Sequence, residues 1–365
     1  MERDNEFMRR AFQLALKGYG SVSPNPMVGA VVVKNDTVVG EGYHLGPGCP
    51  HAEVVALEQA GASARGATLY VNLEPCCHFG RTPPCVDRVI SAGIKRVVCG
   101  MVDPNPLVSG KGILKLKEAG IQVEISGLER EASDLNEVFV HYIKSKKPFV
   151  TCKYAMTLDG KICTETGDAR WISGPGARKK VHHLRKGAGA VMTGIGTVIA
   201  DNPRLTCRLE EPVIKQPLRI IVDSTLKIPE ESQVLSESPH LTVLATTENS
   251  PVFRREHLEK LGAEVLVLPS NDEGRVDLAE LLKVLGRRGI SHVLLEGGSG
   301  IVSAMFSQKL IDKFIVFVAP KLVGGVGAPG PIGGKGIAKM AEAVTLRDVS
   351  IEEVDGDVMI TGYMP

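Results

Sequence analysis

His51-Ala52-Glu53 precedes Pro75-Cys76-Cys77-His78, and Cys85 follows. One imidazole and two thiolates fill three positions of a tetrahedral zinc and leave the fourth to water. Zinc held in this way lowers the pKa of that water to about 7, making hydroxide available at neutral pH. Glu53 stands just beyond the histidine, near the metal without being needed as a ligand. A carboxylate there can take a proton from the water and hand it to a departing amine. His51, Cys76 and Cys85 are therefore the expected zinc ligands and Glu53 the expected proton shuttle. Cys77 adjoins Cys76 and competes for the ligand role; Pro75 pre-sets the turn directly before Cys76, which selects Cys76. The alternative is a closed structural zinc, with His44, His78 or Cys49 as fourth ligand.

These residues need elements to hold them, and 365 residues allow two domains. A hydrophobic share of 43% with 23% charged residues is globular. Forty-three basic residues against 42 acidic ones give no electrostatic footprint for a nucleic acid or an anionic membrane. No apolar run reaches the ~20 residues of a membrane helix. The acidic start, Met1-Glu2-Arg3-Asp4-Asn5-Glu6, is unlike a signal or transit peptide, so a cytoplasmic chain is expected. Apolar spacing predicts a helix over 4–17, a hairpin from Val28–Val33 and Val38–Glu41, and a helix from His51 to Ala60. Strands at Ala67–Asn72, Arg96–Gly100 and Gln122–Ile125 alternate with helices at Pro84–Ala92 and Gly110–Ala119. A closing helix over 128–143 runs into Lys144-Ser145-Lys146-Lys147-Pro148. The expected domains are thus 1–145 and 146–365, both α/β.

In the second half, strands are expected at Phe149–Ala155, Ala190–Thr193, Arg219–Val222, Leu241–Ala245, Glu264–Leu268, His292–Leu295 and Phe314–Ala319. Helices are expected near Gly176–Lys186, Leu278–Gly286 and Ile301–Gln308, giving a largely parallel sheet. Gly324–Gly336 reads as a mobile loop. Gly194-Ile195-Gly196 is a poor dinucleotide fingerprint, since the sixth position is Ile199. Glu296-Gly297-Gly298-Ser299-Gly300 lies between a strand and an apolar helix, and such a loop either cradles an anion or makes a tight connection.

Histidine-x-glutamate followed by a Pro-Cys motif is the signature of zinc nucleobase deaminases, although eight residues here separate Cys76 from Cys85. Ser23-Pro24-Asn25-Pro26-Met27-Val28-Gly29 and the run from Glu74 through Gly80-Arg81-Thr82-Pro83-Pro84 to Cys85 closely resemble the deaminase half of the bifunctional riboflavin-biosynthesis deaminase–reductases. The longer spacing to Cys85 is that family's own variant. The resemblance continues through Lys153, Ala155–Lys161, Trp171-Ile172-Ser173, Thr197–Pro203, Leu205-Thr206, Arg208, Val222-Asp223-Ser224 and Glu296-Gly297-Gly298. It implies a cytidine-deaminase-like three-layer α/β/α domain followed by a dihydrofolate-reductase-like α/β domain that binds NADPH without a Rossmann motif. The implied substrate is a diaminopyrimidinone ribosyl phosphate, deaminated first and then reduced at the ribose to a ribityl chain.

By the same resemblance, Asn25 contacts the pyrimidine, and NADPH lies along Ala155, Trp171, Ser173, Thr197, Asp201, Ser224 and the loop Gly298, Ser299, Gly300, Ile301, Val302 and Ser303. Arg185, Leu205, Arg208 and Glu296 meet the ribosyl phosphate, and Lys153, Asp201 and Glu296 are the ionisable groups of the reduction. His44, His78 and Lys111 are further candidates for the deaminase pocket. Ala169 stands where the family often has a substrate-contacting serine. A homodimer through the reductase half is a further implication. Two other functions compete with this reading: a tRNA or cytidine deaminase with a nucleotide-binding appendage, and a non-catalytic zinc-stabilised nucleotide sensor.

Overall fold

The computed structural model describes residues 2–80, 83–211 and 213–365; Met1 and the motif residues Arg81 and Thr82 lie outside the described residues. The chain folds as two compact units that part between Lys146 and Lys147.

The first unit runs α1 (Glu2–Leu16), β1 (Gly29–Lys34), β2 (Thr37–Tyr43), α2 (Ala52–Ala60), β3 (Thr68–Val71), α3 (Cys85–Ser91), β4 (Arg96–Cys99), α4 (Lys111–Glu118), β5 (Gln122–Ile125), α5 (Glu129–Leu135) and α6 (Glu137–Ser145). Its sheet has the order β2-β1-β3-β4-β5, with β1 antiparallel to both neighbours and the rest parallel. Strand alternation sorts side chains to two faces. Ala30, Val32, Leu69 and Val97 pack with α2, α3 and α4, while Val31, Val33, Tyr70 and Val98 pack with α1 and α5. Three layers result. Helix α2 lies unusually close to the sheet: a Cβ on Gly42 would sit 2.5 Å from the Ala52 carbonyl oxygen, so only glycine permits this approach.

The helix expected over 128–143 is two helices, broken at Asn136. The reason is tertiary. Asn136 accepts the Met27 N–H at 2.8 Å and donates to the Met27 carbonyl at 3.0 Å, which fastens the loop carrying Asn25.

The second unit comprises β6 (Phe149–Thr157), α7 (Pro175–Gly187), β7 (Ala190–Gly194), α8 (Ile195–Asp201), β8 (Leu218–Val222), α9 (Gln233–Ser236), β9 (Thr242–Thr247), α10 (Val252–Lys260), β10 (Glu264–Leu268), α11 (Leu278–Arg287), β11 (His292–Glu296), α12 (Ser299–Ser307), β12 (Lys313–Ala319), β13 (Arg347–Val354) and β14 (Asp357–Tyr363). Its nine-stranded sheet has the order β10-β9-β8-β7-β11-β6-β12-β14-β13. All pairings are parallel except those made by β14. Leu281, Leu285, Val302 and Met305 cover one face, and Val198, Val234 and Leu258 the other.

The glycine-rich segment expected to be mobile is fastened at both ends. Asp159 accepts the N–H groups of Val323 and Gly324, and Gly333 donates to the Ser299 carbonyl at 3.1 Å. No helix among the described residues is long and apolar enough to cross a membrane.

Candidate active sites

His51 caps the N-terminus of α2, which places Glu53 in that helix's first turn. Cys85 opens α3, and its backbone N–H donates to Cys76 Sγ at 3.3 Å. The His51 Nδ1 atom is 3.2 Å from Cys85 Sγ and 3.5 Å from Cys76 Sγ. Among the described residues these three form the metal-sized cluster, with their ligand atoms all within 4.8 Å of one another. The Cys76 thiol is pulled down to about 4, first by its hydrogen bond with Cys85 and then by His51; the same bond pushes Cys85 up. Cys77 turns away, its sulfur toward the Leu107 carbonyl at 3.9 Å.

Glu53 is buried, and its Oε2 has no hydrogen-bond partner. Burial, followed by the neighbouring Cys76, pushes this carboxyl up. A buried carboxylate oxygen without a partner is costly unless something else meets it. Zinc fits this chemistry, since the His/Cys/Cys donor set is one that catalytic zinc uses while leaving a position open.

Beside the cluster lies a cavity of about 420 Å³, lined by Asn25, His44, His78 and Asp103 among others. His44 Nδ1 donates to the Pro50 carbonyl at 3.2 Å, so Nε2 accepts from the Asn25 amide at 3.0 Å. Burial lowers the His44 pKa, consistent with that neutral tautomer. Asn25 thereby uses a donor on His44 and keeps its oxygen for another partner. His78 lines the cavity with Nδ1 buried and without a partner. Lys111 does not line it: its ammonium donates outward to the Pro106 carbonyl at 2.9 Å, because it starts α4 on the exposed side.

Four wall residues were not singled out by sequence. Glu74 accepts the N–H groups of Asp103, Gly110 and Ile113 at 3.1, 2.9 and 3.1 Å, binding the start of α4 to the loop that carries Cys76. A Cβ on Gly112 would lie 2.2 Å from the Pro75 carbonyl oxygen, so glycine is required at this junction too. Asp103 is buried, and burial pushes its carboxyl up to about 6. Phe139 and Tyr142 of α6 complete the apolar side. The adjacency of Glu74 to Pro75 hinted at a role for the first; nothing local signals the others.

In the second unit, Lys153 in the middle of β6 is the register partner of Glu296, which ends β11 at the carboxyl edge of the parallel sheet, where open α/β sheets bind ligands. Arg185 from α7 grips Glu296 through two bonds of 2.6 and 2.9 Å and donates a third to the Thr206 carbonyl at 2.9 Å. Burial lowers the Lys153 ammonium. Burial also presses Glu296 upward, but Arg185 and Lys153 outweigh it and hold the carboxylate low. Arg208 donates to the Thr206 hydroxyl at 2.9 Å and to His182 Nδ1 through its backbone at 3.2 Å. The Leu205 side chain is in the core, which leaves only its backbone for a ligand.

The expected cofactor residues come from several segments of the second unit. Thr197 of α8 accepts the Gly298 N–H at 2.9 Å, joining α8 to the glycine turn at the head of α12. Ser299, Gly300, Ile301 and Ser303 continue that helix, whereas the Val302 side chain turns into the core. Asp201 ends α8, and its carbonyl accepts from Arg170 at 2.6 Å. Ser224 accepts the Val276 N–H at 3.1 Å with its hydroxyl. Ala155 lies on β6, while Trp171 and Ser173 belong to the loop before α7. Ala169 in that loop takes part through its carbonyl, which accepts from Ile172 at 3.2 Å.

Residues 1–101 match the family described as cytidine and deoxycytidylate deaminase zinc-binding region, and residues 148–360 match the RibD C-terminal domain. The riboflavin biosynthesis protein RibD of Aquifex aeolicus is 45% identical over 360 residues, with 98% of each chain covered. The solved structure of Acinetobacter baumannii RibD, form 1, is 39% identical with a TM-score of 0.90, covering 100% of this chain and 99% of that one. A solved diaminohydroxyphosphoribosylaminopyrimidine deaminase/5-amino-6-(5-phosphoribosylamino)uracil reductase from Thermotoga maritima is 37% identical with a TM-score of 0.87 over the same shares. The first unit is accordingly a cytidine-deaminase-like domain and the second a dihydrofolate-reductase-like one. With both halves matched and these relatives aligned over nearly their full length, this chain belongs to the RibD family.

Proposed function

We infer that the protein catalyses two consecutive steps of riboflavin biosynthesis. It is a zinc-dependent deaminase that hydrolyses 2,5-diamino-6-ribosylamino-4(3H)-pyrimidinone 5′-phosphate. It is also an NADPH-dependent reductase that converts the ribosyl group of the resulting aminouracil to ribityl. The observation that carries the reading is the His51–Cys76–Cys85 cluster beside the unpartnered carboxylate oxygen of Glu53.

Zinc held by His51, Cys76 and Cys85 supplies Lewis acidity that makes water a nucleophile at neutral pH. Glu53 takes a proton as water adds to the ring carbon bearing the amine, and returns it to the nitrogen so that ammonia leaves. Asn25, held by His44, orients the ring. In the reductase, NADPH supplies the hydride. Lys153 and Glu296 hold the proton inventory around the opening ribose, while Arg185 fixes the Glu296 carboxylate. Arg208 suits the 5′-phosphate, because a guanidinium matches phosphate geometry.

A coupled time course tests the pair of activities. With the ribosyl phosphate and NADPH together, ammonia release should precede NADPH consumption. Stripping zinc with a chelator should abolish both signals, yet leave NADPH consumption on pre-deaminated substrate unchanged. A zinc-loaded protein that releases no ammonia would overturn the substrate assignment.

A zinc site built on two thiolates suits a reducing compartment, which supports a cytoplasmic location. Val349 and Ile351 on the edge strand β13 are exposed, which supports pairing of two reductase halves. A monomer by sedimentation at micromolar concentration would remove the dimer.

A further inference from the structure

Trp171 is the single tryptophan of the chain, and it is 63% exposed. A large indole in water is expected to sample several rotamers unless something holds it. Here it is held. The Arg178 guanidinium lies over its ring, 4.8 Å from the centroid, within the range of a cation–π contact. The same guanidinium donates to the Ser173 carbonyl at 2.6 Å. One side chain therefore fixes both residues of the 171–173 loop that the cofactor reading uses.

Arg178 can do this because its own backbone is anchored. It sits in the first turn of α7, where Gly174 N–H donates to Asp357 at 2.7 Å and Gly176 N–H to Asp355 at 3.1 Å. These carboxylates come from the β13–β14 hairpin, and acids suit a helix N-terminus. From the other side, Lys321 donates to the Trp171 carbonyl at 2.5 Å. The loop is thus pinned through its backbone at both residues, and the indole through its ring.

We propose that Arg178 is a positioning residue for NADPH: it pre-orders the Trp171 indole as the wall against which an aromatic ring of the cofactor stacks. This rests on the reading that places NADPH along Trp171 and Ser173. Pre-ordering removes the entropy of immobilising a side chain from the binding step. Its loss therefore weakens affinity and leaves the hydride step alone.

The test uses the zinc-loaded full chain and the emission of its one tryptophan. In Arg178→Gln, tryptophan anisotropy without cofactor falls, because the indole is released. The Kd for NADPH, read from quenching of the same emission, rises roughly five- to tenfold. Reductase kcat at saturating NADPH stays within about twofold, and ammonia release is unchanged. Arg178→Lys keeps the charge without the planar fork and falls between the two. Unchanged anisotropy with unchanged Kd overturns the proposal. So does a fall in kcat at saturation that tracks the loss of affinity, which marks a general structural role. A wild-type emission that ignores NADPH while NADPH is consumed overturns the cofactor placement itself, whatever Arg178 does to the anisotropy.

Discussion

Glu53→Gln should lower ammonia release by a factor of about 10² to 10⁴, the span a positioned acid–base group commands. Glutamine matches the shape of glutamate but cannot take up a proton at neutral pH. Glu53 lies outside the proposed ligand set of His51, Cys76 and Cys85, so zinc content should match the wild type. The substitution breaks no hydrogen bond at Oε2. Desolvation of a charged group is removed as well, which favours the variant's stability. Three measurements on one preparation decide it: ammonia release, zinc content, and NADPH consumption on pre-deaminated substrate. Ammonia release within a few-fold of wild type would show that another group carries the proton.

Glu296→Gln is the corresponding change in the reductase, and its effect on stability is larger. The Arg185 and Glu296 side chains are only 11% and 13% exposed, and their two bonds form a fork. Removing one partner leaves a guanidinium beside the Lys153 ammonium with no counter-charge, at a cost of about 3–5 kcal/mol. The melting transition of the second unit should fall accordingly. Reductase turnover should fall at least a hundredfold, while ammonia release is untouched. Instability and lost chemistry can be separated. Replacing both members, Arg185→Met with Glu296→Leu, should recover much of the stability, since apolar isosteres often replace a buried pair without loss. Turnover should stay lost. A double variant that regains turnover would mean the pair is structural only.

The metal cluster was legible because each member announces itself locally. His51 and Cys85 stand at or beside helix starts, and Pro75 introduces Cys76. The strands of the first sheet and the seven parallel strands of the second were legible from their apolar runs. What failed depended on distance or on weak local preference. Asn136 breaks a helical pattern to serve Met27, far earlier in the chain. Helix α8 is missed because its Ile-Gly-Thr-Val-Ile core is poor in helix formers. The β13–β14 hairpin turns at Asp355-Gly356, a signal that was present and unused. Lys111 was one candidate for the pocket wall, and its position at the start of α4 directs it outward. Tyr142 and Phe139 reach the cavity only through the packing of α6, which periodicity alone cannot aim.

Glu74 closes a ring. Its carboxylate holds the amides of Asp103, Gly110 and Ile113, and the chain returns from there to Pro75 through Gly112. A ring fastened at fixed points has a fixed circumference, so the segment between Asp103 and Gly110 tolerates exchange of side chains but not a change in length. An inserted or deleted residue between those anchors would pull on the Gly112–Pro75 contact and so on the turn that carries Cys76. Asn105 and Val108 of that segment line the cavity, so its wall can be reshaped one side chain at a time while one buried carboxylate keeps the length of the span.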